Sequence, residues 1–324
     1  MQILAADIGG TQSRFGLFHV CDEFEPVLVQ SISFSTQHVV SWKDLVTRLR
    51  ASELGQAAQD ADVIVLAAAG PVRAGHFCKL TNADWAIDLD EPTALPARKT
   101  ILINDFVAQA MGCLTLHATT SCLCVQQGGA RTEPGVRAVL GPGTGLGHCA
   151  LVPGPAGRMI PLPSEGAHAP FAFTGQDETA LAQFIQSRAK APYVVGDVLV
   201  SGTGLSLLHE FLTGQQHAPA DVAACIGPDS PTTAWFARFL GRAARVYALY
   251  VLALGGVFLT GGVIARNTFL VTHPDFLREF QNSSSYHAIL QDIPVSLITA
   301  PHVGLYGAAR FGVDYLQYIR VSTM

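Results

Sequence analysis

Two short glycine-rich turns hold the residues best suited to phosphate chemistry. Asp7-Ile8-Gly9-Gly10-Thr11 sets two glycines and a threonine directly after an apolar run. Glycine lets a backbone approach a phosphate closely, and consecutive N–H groups form a nest for an anion. Thr11 adds a hydroxyl donor, and Asp7 is an acid able to hold Mg²⁺ through water. A plain hairpin turn explains the same residues, so this segment alone leaves both readings open. Gly141-Pro142-Gly143-Thr144-Gly145-Leu146-Gly147 has more glycine than a turn requires. With the first segment it predicts a two-sided clamp on phosphate groups.

Three further segments could serve a substrate. Asn104-Asp105 follows a short apolar run and precedes a helix-like one. Asp105 can be read as a general base that takes a proton from an attacking hydroxyl, or as the cap of the helix after it. Phosphoryl transfer tolerates so weak a base, because positioning dominates its loose transition state. Glu165-Gly166-Ala167-His168 offers an acid and an imidazole that can converge on one polyol; a structural loop histidine is the other reading. A metal site there lacks further ligands at the right spacing. Phe258-Leu259-Thr260-Gly261-Gly262-Val263 is a strand-like run ending in Gly-Gly, which suits either contact with an adenine and ribose or close packing.

The elements that must hold these groups can be sketched from apolar patterning. Ile3 to Ala6 and Phe15 to Phe18 read as strands of a hairpin around the first turn. Val63 to Ala69 and Lys99 to Ile103 read as buried strands, which puts Asn104 and Asp105 at a strand's C-terminal end, where open α/β sheets bind ligands. Val136 to Leu140 and His148 to Val152 repeat the strand–glycine turn–strand design. The repeat predicts a duplicated fold with a cleft between its halves. Glu178 to Arg188, Thr232 to Leu254 and Gly304 to Leu316 read as helices, Val257 to Thr260 as a strand, and Thr213 to Pro231 as a surface loop.

Composition narrows the class. The chain has 324 residues, of which 49% are apolar and 14% charged, enough for a large core or two modest ones and too little charge for disorder. The net charge is −5 with no basic block, which speaks against nucleic acid or an anionic membrane as partner. Cys21, Cys78, Cys113, Cys122, Cys124, Cys149 and Cys225 are odd in number and match no zinc spacing, so they are expected to be reduced, packed thiols of a cytoplasmic protein. Met1 to Asp7 shows no basic leader and is expected to be a strand. Val246 to Ala265 is long and uncharged, but its glycines and flanking arginines predict a buried helix, a break and a buried strand rather than a membrane span. No GxxxxGK[ST], GxGxxG after a strand, HExxH or GxSxG occurs.

Taken together, the chain resembles the bacterial-type glucokinase family of the hexokinase/actin-like ATPase superfamily. The resemblance rests on Asp7 to Thr11 with Arg14, Leu80-Thr81-Asn82 with Trp85, Ile103 to Phe106, Leu140 to Gly147, Glu165 to His168, Val200-Ser201-Gly202 with Gly204, and Thr260-Gly261-Gly262, all in family order. It implies a duplicated actin-like ATPase (ribonuclease H-like) α/β fold of two domains around a central cleft. Residues 1–114 with 304–324 would form the smaller domain and 115–303 the larger. It also implies transfer of phosphate from ATP, with Mg²⁺, to the 6-hydroxyl of glucose, in a homodimer. Asn104, Asp105, Glu165 and His168 would bind the sugar, with Asp105 as base. Ala6, Asp7, Ile8, Gly9, Gly10 and Thr11, with Gly143, Thr144 and Gly145, would bind ATP phosphates, and Gly261 and Gly262 would lie near the adenosine.

The chain departs from the family pattern at Gln12, at Ala169-Pro170, and at Asp197, which stands where a second sugar-binding glutamate is usual and is one methylene shorter. The changes at Asp197 and Ala169-Pro170 motivate one alternative, a kinase for another hexose or amino sugar. Of two others, a non-catalytic sugar sensor on the same fold is opposed by the lack of the zinc motif of related repressors, and an actin-like polymer or chaperone ATPase would not need Glu165 and His168 beside Asn104-Asp105.

Overall fold

The computed structural model describes residues 1–20, 24–93, 95–96, 99–129 and 134–322; Cys21 lies outside the described residues. The chain forms two compact units, Met1–Ser121 with Ala300–Met324, and Cys122–Thr299.

In the first unit the strands are β1 (Gln2–Ile8), β2 (Gln12–Val20), β3 (Pro26–Ser35), β4 (Val63–Ala68), β5 (Val72–Arg73), β6 (Phe77–Lys79), β7 (Ala86–Asp88) and β8 (Thr100–Asn104). The main sheet has the order β3-β2-β1-β4-β8. β1 pairs antiparallel with β2 and parallel with β4, and β4 pairs parallel with β8. β4 is buried at every position, which accounts for its unbroken apolar sequence. Leu4, Ile8, Phe15, Trp42, Leu45, Leu66 and Leu102 share one core cluster. The helices Asp105–Gly112 and Val303–Ser322 pack on one another.

The second unit holds β9 (Cys122–Gln126), β10 (Arg137–Pro142), β11 (Leu146–Pro153), β12 (Met159–Ser164), β13 (Gly256–Leu259) and β14 (Val295–Ile298). Its sheet order is β12-β11-β10-β13-β14-β9. Apart from β9 this repeats the first unit: an antiparallel meander of three strands, then two parallel partners. The duplicated α/β fold expected from the repeated hairpins is present.

Three details differ from the sequence reading. Thr213 to Pro231 is not all loop, because Pro219–Cys225 is a helix with Val222 buried. Proline there starts the helix, at a first position that needs no N–H donor, and Asp221 favours its N-terminal end. The long helix Pro231–Tyr250 stops short of Leu254, and the chain turns through Leu252 at φ 47 before β13. Cys78, Cys113 and Cys149 are buried as expected, whereas Cys122, Cys124 and Cys225 are exposed. Among the described residues no helix is long and apolar enough to cross a membrane.

Candidate active site

In the first unit, the turn between β1 and β2 is closed by the Gly9 amide, which donates to the Gln12 carbonyl at 2.9 Å. The Thr11 carbonyl accepts from the Thr36 amide at 3.0 Å, which ties the turn to the end of β3. Gly10 lies so close to Asn82 that a Cβ on it would collide with the Asn82 Cβ. Asp7 faces Arg14 across the ladder. Burial pushes the Asp7 carboxyl above its usual range, with Arg14 and His302 opposing. Burial and Arg14 hold His302 below its ordinary value, with the Asp7 charge opposing.

Asn104 ends β8 and caps the helix that starts at Asp105. Its Oδ1 accepts from the amides of Phe106 at 2.9 Å and Val107 at 3.3 Å, and its Nδ2 donates to the Gly70 carbonyl at 3.1 Å. The cap considered for Asp105 is therefore Asn104. Asp105 is the first helical residue, and its Oδ1 accepts from the Phe106 amide at 2.9 Å. Burial, then the charge of Asp105, pushes the Cys78 thiol up to about 11. Gln109 lies one turn beyond Asp105 on the same helix face. A Cβ on Gly304 would stand 3.1 Å from Gln109 Nε2 and 3.3 Å from Asp7 Oδ2. Gln109 and His302 were not singled out from the sequence. The i, i+4 spacing from Asp105 points to Gln109; nothing local points to His302.

In the second unit, the turn between β10 and β11 is tied at several points. The Gly143 amide donates to the Gly145 carbonyl at 2.7 Å, and the Gly202 amide donates to the Gly143 carbonyl at 2.9 Å. The Leu146 amide donates to Asp197 Oδ1 at 2.8 Å. A Cβ on Gly145 would collide with that same oxygen. Thr260 and Gly261 lie against the base of the loop: the Thr260 amide donates to the Leu140 carbonyl at 3.0 Å. Gly261, at φ 105, turns the chain from β13 into the short helix Gly262–Arg266.

Glu165 leads into a 3₁₀ turn over Gly166–His168, and His168 Nε2 stands 3.6 Å from Glu165 Oε2, with both side chains more than half exposed. Gly196, the residue before Asp197, packs against that turn: a Cβ on it would sit 3.3 Å from the Ala167 carbonyl oxygen. The second unit thus gathers Glu165, His168, Asp197, the loop Gly143-Thr144-Gly145 and Gly261-Gly262. The first unit gathers Asp7 to Thr11, Asn104 and Asp105.

Among the described residues no group of three or more His, Cys, Asp and Glu could hold a metal ion. Asp7 fits a different pattern, in which Mg²⁺ rests on a single carboxylate, waters and substrate phosphates.

Comparison with known proteins bears on the whole chain. The glucokinase family model matches residues 4–314. A glucokinase of Neisseria gonorrhoeae is 33% identical over 98% of this chain and 96% of its own length. The crystal structure of a glucokinase from an Antarctic psychrotroph superposes with a TM-score of 0.78 at 29% identity, covering 97% of this chain and 99% of that one. A glucokinase from Balamuthia mandrillaris, solved in complex with glucose, shares the fold with a TM-score of 0.80 at 20% identity over 97% and 93% of the two chains. With one family model spanning both units and relatives matched nearly end to end, the chain belongs to the glucokinase family.

Proposed function

We propose that this chain transfers the γ-phosphoryl group of ATP to the 6-hydroxyl of glucose, with Asp105 as the general base. The carrying observation is the division of labour at the end of β8: Asn104 caps the helix, and Asp105 presents its carboxylate from the first helical position. In the step, the sugar O6–H proton passes to Asp105, the O6–P bond forms, the bond from Pγ to the β-phosphate oxygen breaks, and ADP leaves. Ala6 to Thr11 and Gly143-Thr144-Gly145 contact the phosphates, with Gly261-Gly262 near the adenosine. Mg²⁺ at Asp7 supplies neutralising charge when bound. Asn104, Glu165, His168 and Asp197 hold the sugar hydroxyls. Asn104 has one amide hydrogen beyond its bond to Gly70, and Asp197 has Oδ2 beyond its bond to Leu146. The reading extends to a homodimer of the cytoplasm, and the mass in solution tests the dimer.

Asp105→Asn tests the base. Single-turnover kinetics should show kcat reduced by about 10²–10⁴, with glucose KM and melting temperature nearly unchanged. A variant that melts early but keeps its kcat would show a structural residue instead.

A second reading, a kinase for another hexose or an amino sugar, is favoured by the engagement of Asp197 Oδ1 by the loop. Comparing kcat/KM across hexoses and hexosamines decides it, and glucose ranking clearly first removes it.

A further inference from the structure

Behind the Glu165–His168 turn lies a cavity of about 130 Å³. One wall is the helix Pro231–Tyr250, through Ala243, Val246 and Tyr247; another is the run Ala169 to Ala172; His148, from β11, lines it as well. Most of the lining is apolar. His148 is only 6% exposed, and neither ring nitrogen has a hydrogen-bond partner. Its ring stacks on Tyr247 with centroids 4.3 Å apart and planes 9° apart.

The chemistry of the walls selects the occupant. Burial, helped by nearby His168, pushes His148 down to about 4, so at neutral pH the ring is uncharged and offers one donor and one acceptor. The charged residue of the lining, Arg242, has no donor to spare. Its Nε donates to Glu279; its Nη1 donates to Glu178 and the Ala172 carbonyl; its Nη2 donates to Glu178 and Thr174. A carboxylate or phosphate would meet no free cation there. A cavity of this size holds one benzene-sized ring, and an unpaired buried imidazole favours a ring that carries a hydrogen-bonding group.

We propose that this cavity is a binding site for a small uncharged hydroxyaromatic molecule, whose hydroxyl pairs with His148. The site is separate from the reacting groups, but Gly166 and Ala167 of the sugar turn, Gly196 beside Asp197, and Leu146 of the glycine loop also line it. An occupant therefore touches the backs of three substrate-facing segments.

The test is calorimetric titration of the full chain with phenol, toluene and benzoate. Phenol should bind saturably, about fivefold more tightly than toluene, the worth of one net hydrogen bond; benzoate should not bind. His148→Phe keeps the stacked ring and should make phenol and toluene equal. Ala243→Leu fills the cavity and should abolish binding of both while leaving the melting temperature unchanged or higher. Phenol binding that survives Ala243→Leu, benzoate binding as tightly as phenol, or no saturable phenol binding would each overturn the proposal, and Ala243→Leu decides it even if His148→Phe fails to fold.

Discussion

At the turn between β1 and β2, a carboxylate belongs to the hairpin: Asp7, paired across the ladder with Arg14. The glycine there, Gly10, lies against the stem of Asn82. At the turn between β10 and β11 the hairpin has no acid of its own. A carboxylate is delivered from 51 residues further along the chain, by Asp197, and binds the Leu146 amide. The ladders are the same, but the negative charge sits differently. In the first hairpin, the proposed reaction gives it a cation that bridges it to phosphate. In the second it accepts from a backbone donor and ties the loop, which in the proposed reaction leaves Gly143, Thr144 and Gly145 to the nucleotide. The two units share the scaffold, and in the proposed reaction their hairpins divide the work between a metal side and a positioning side.

The sharpest way to break this contrast is to neutralise each acid. Asp7→Asn should lower kcat by about 100-fold, as for loss of a group that stabilises transition-state charge. Stability should move the other way. Burial raises the folded-state pKa of Asp7 above its unfolded value, so the ionised form is disfavoured in the fold. That penalty is present above the folded pKa and disappears as pH falls through it. Without ligand, Asp7→Asn should therefore melt at or above the wild-type temperature at neutral pH, and the difference should shrink on acidification. Asp197→Asn should lower kcat less than tenfold. Equal losses in the two variants would end the division of labour.

A smaller effect separates the two glycines. Gly10→Ala and Gly145→Ala should each cost about 1–3 kcal/mol, the usual range for overpacking. The obstacles differ, however. At Gly10 it is the Asn82 Cβ, which Asn82→Ala retains; at Gly145 it is the tip of Asp197, which Asp197→Ala removes. Thermal melts of both double-mutant cycles should show near-additive losses for Gly10 with Asn82. Gly145 with Asp197 should show a favourable coupling above about 0.5 kcal/mol. Additivity in both cycles would mean that Asp197 does not set the identity of residue 145.

How much of this was legible in the sequence follows the range of the interactions. Both hairpins, β4 and β8 are local patterns of apolar runs and glycine turns, and they stand where expected. The choice between Asn104 and Asp105 as cap was not legible, because adjacent residues compete for the same amides and only the backbone angle at the strand end decides. The bond from Leu146 to Asp197 is a tertiary contact, invisible to local spacing. The helix Pro219–Cys225 was hidden by a composition rich in proline and alanine that suits a loop equally well. His148 followed a glycine loop and read as one more strand residue; its unpaired nitrogens become evident only once Tyr247 is stacked on it.

The finest test concerns what Asp197 does with each of its oxygens. If Oδ1 holds the loop, any side-chain oxygen at that distance should serve. Asp197→Asn should then raise the ATP KM less than threefold, whereas Asp197→Ala should raise it about five- to tenfold, since hydrogen bonds to charged groups are worth about 1.5–3 kcal/mol and this one is partly exposed. If Oδ2 meets the sugar as a charged acceptor, the glucose KM should respond to the charge, and both variants should raise it alike. ATP KM would then follow the presence of an oxygen, while glucose KM would follow its charge. Equal ATP KM values for Asn and Ala would remove the loop-holding role. A glucose KM unmoved in both would show that the shorter acid has left the sugar altogether, and the second hairpin would then owe its carboxylate to the phosphate loop alone.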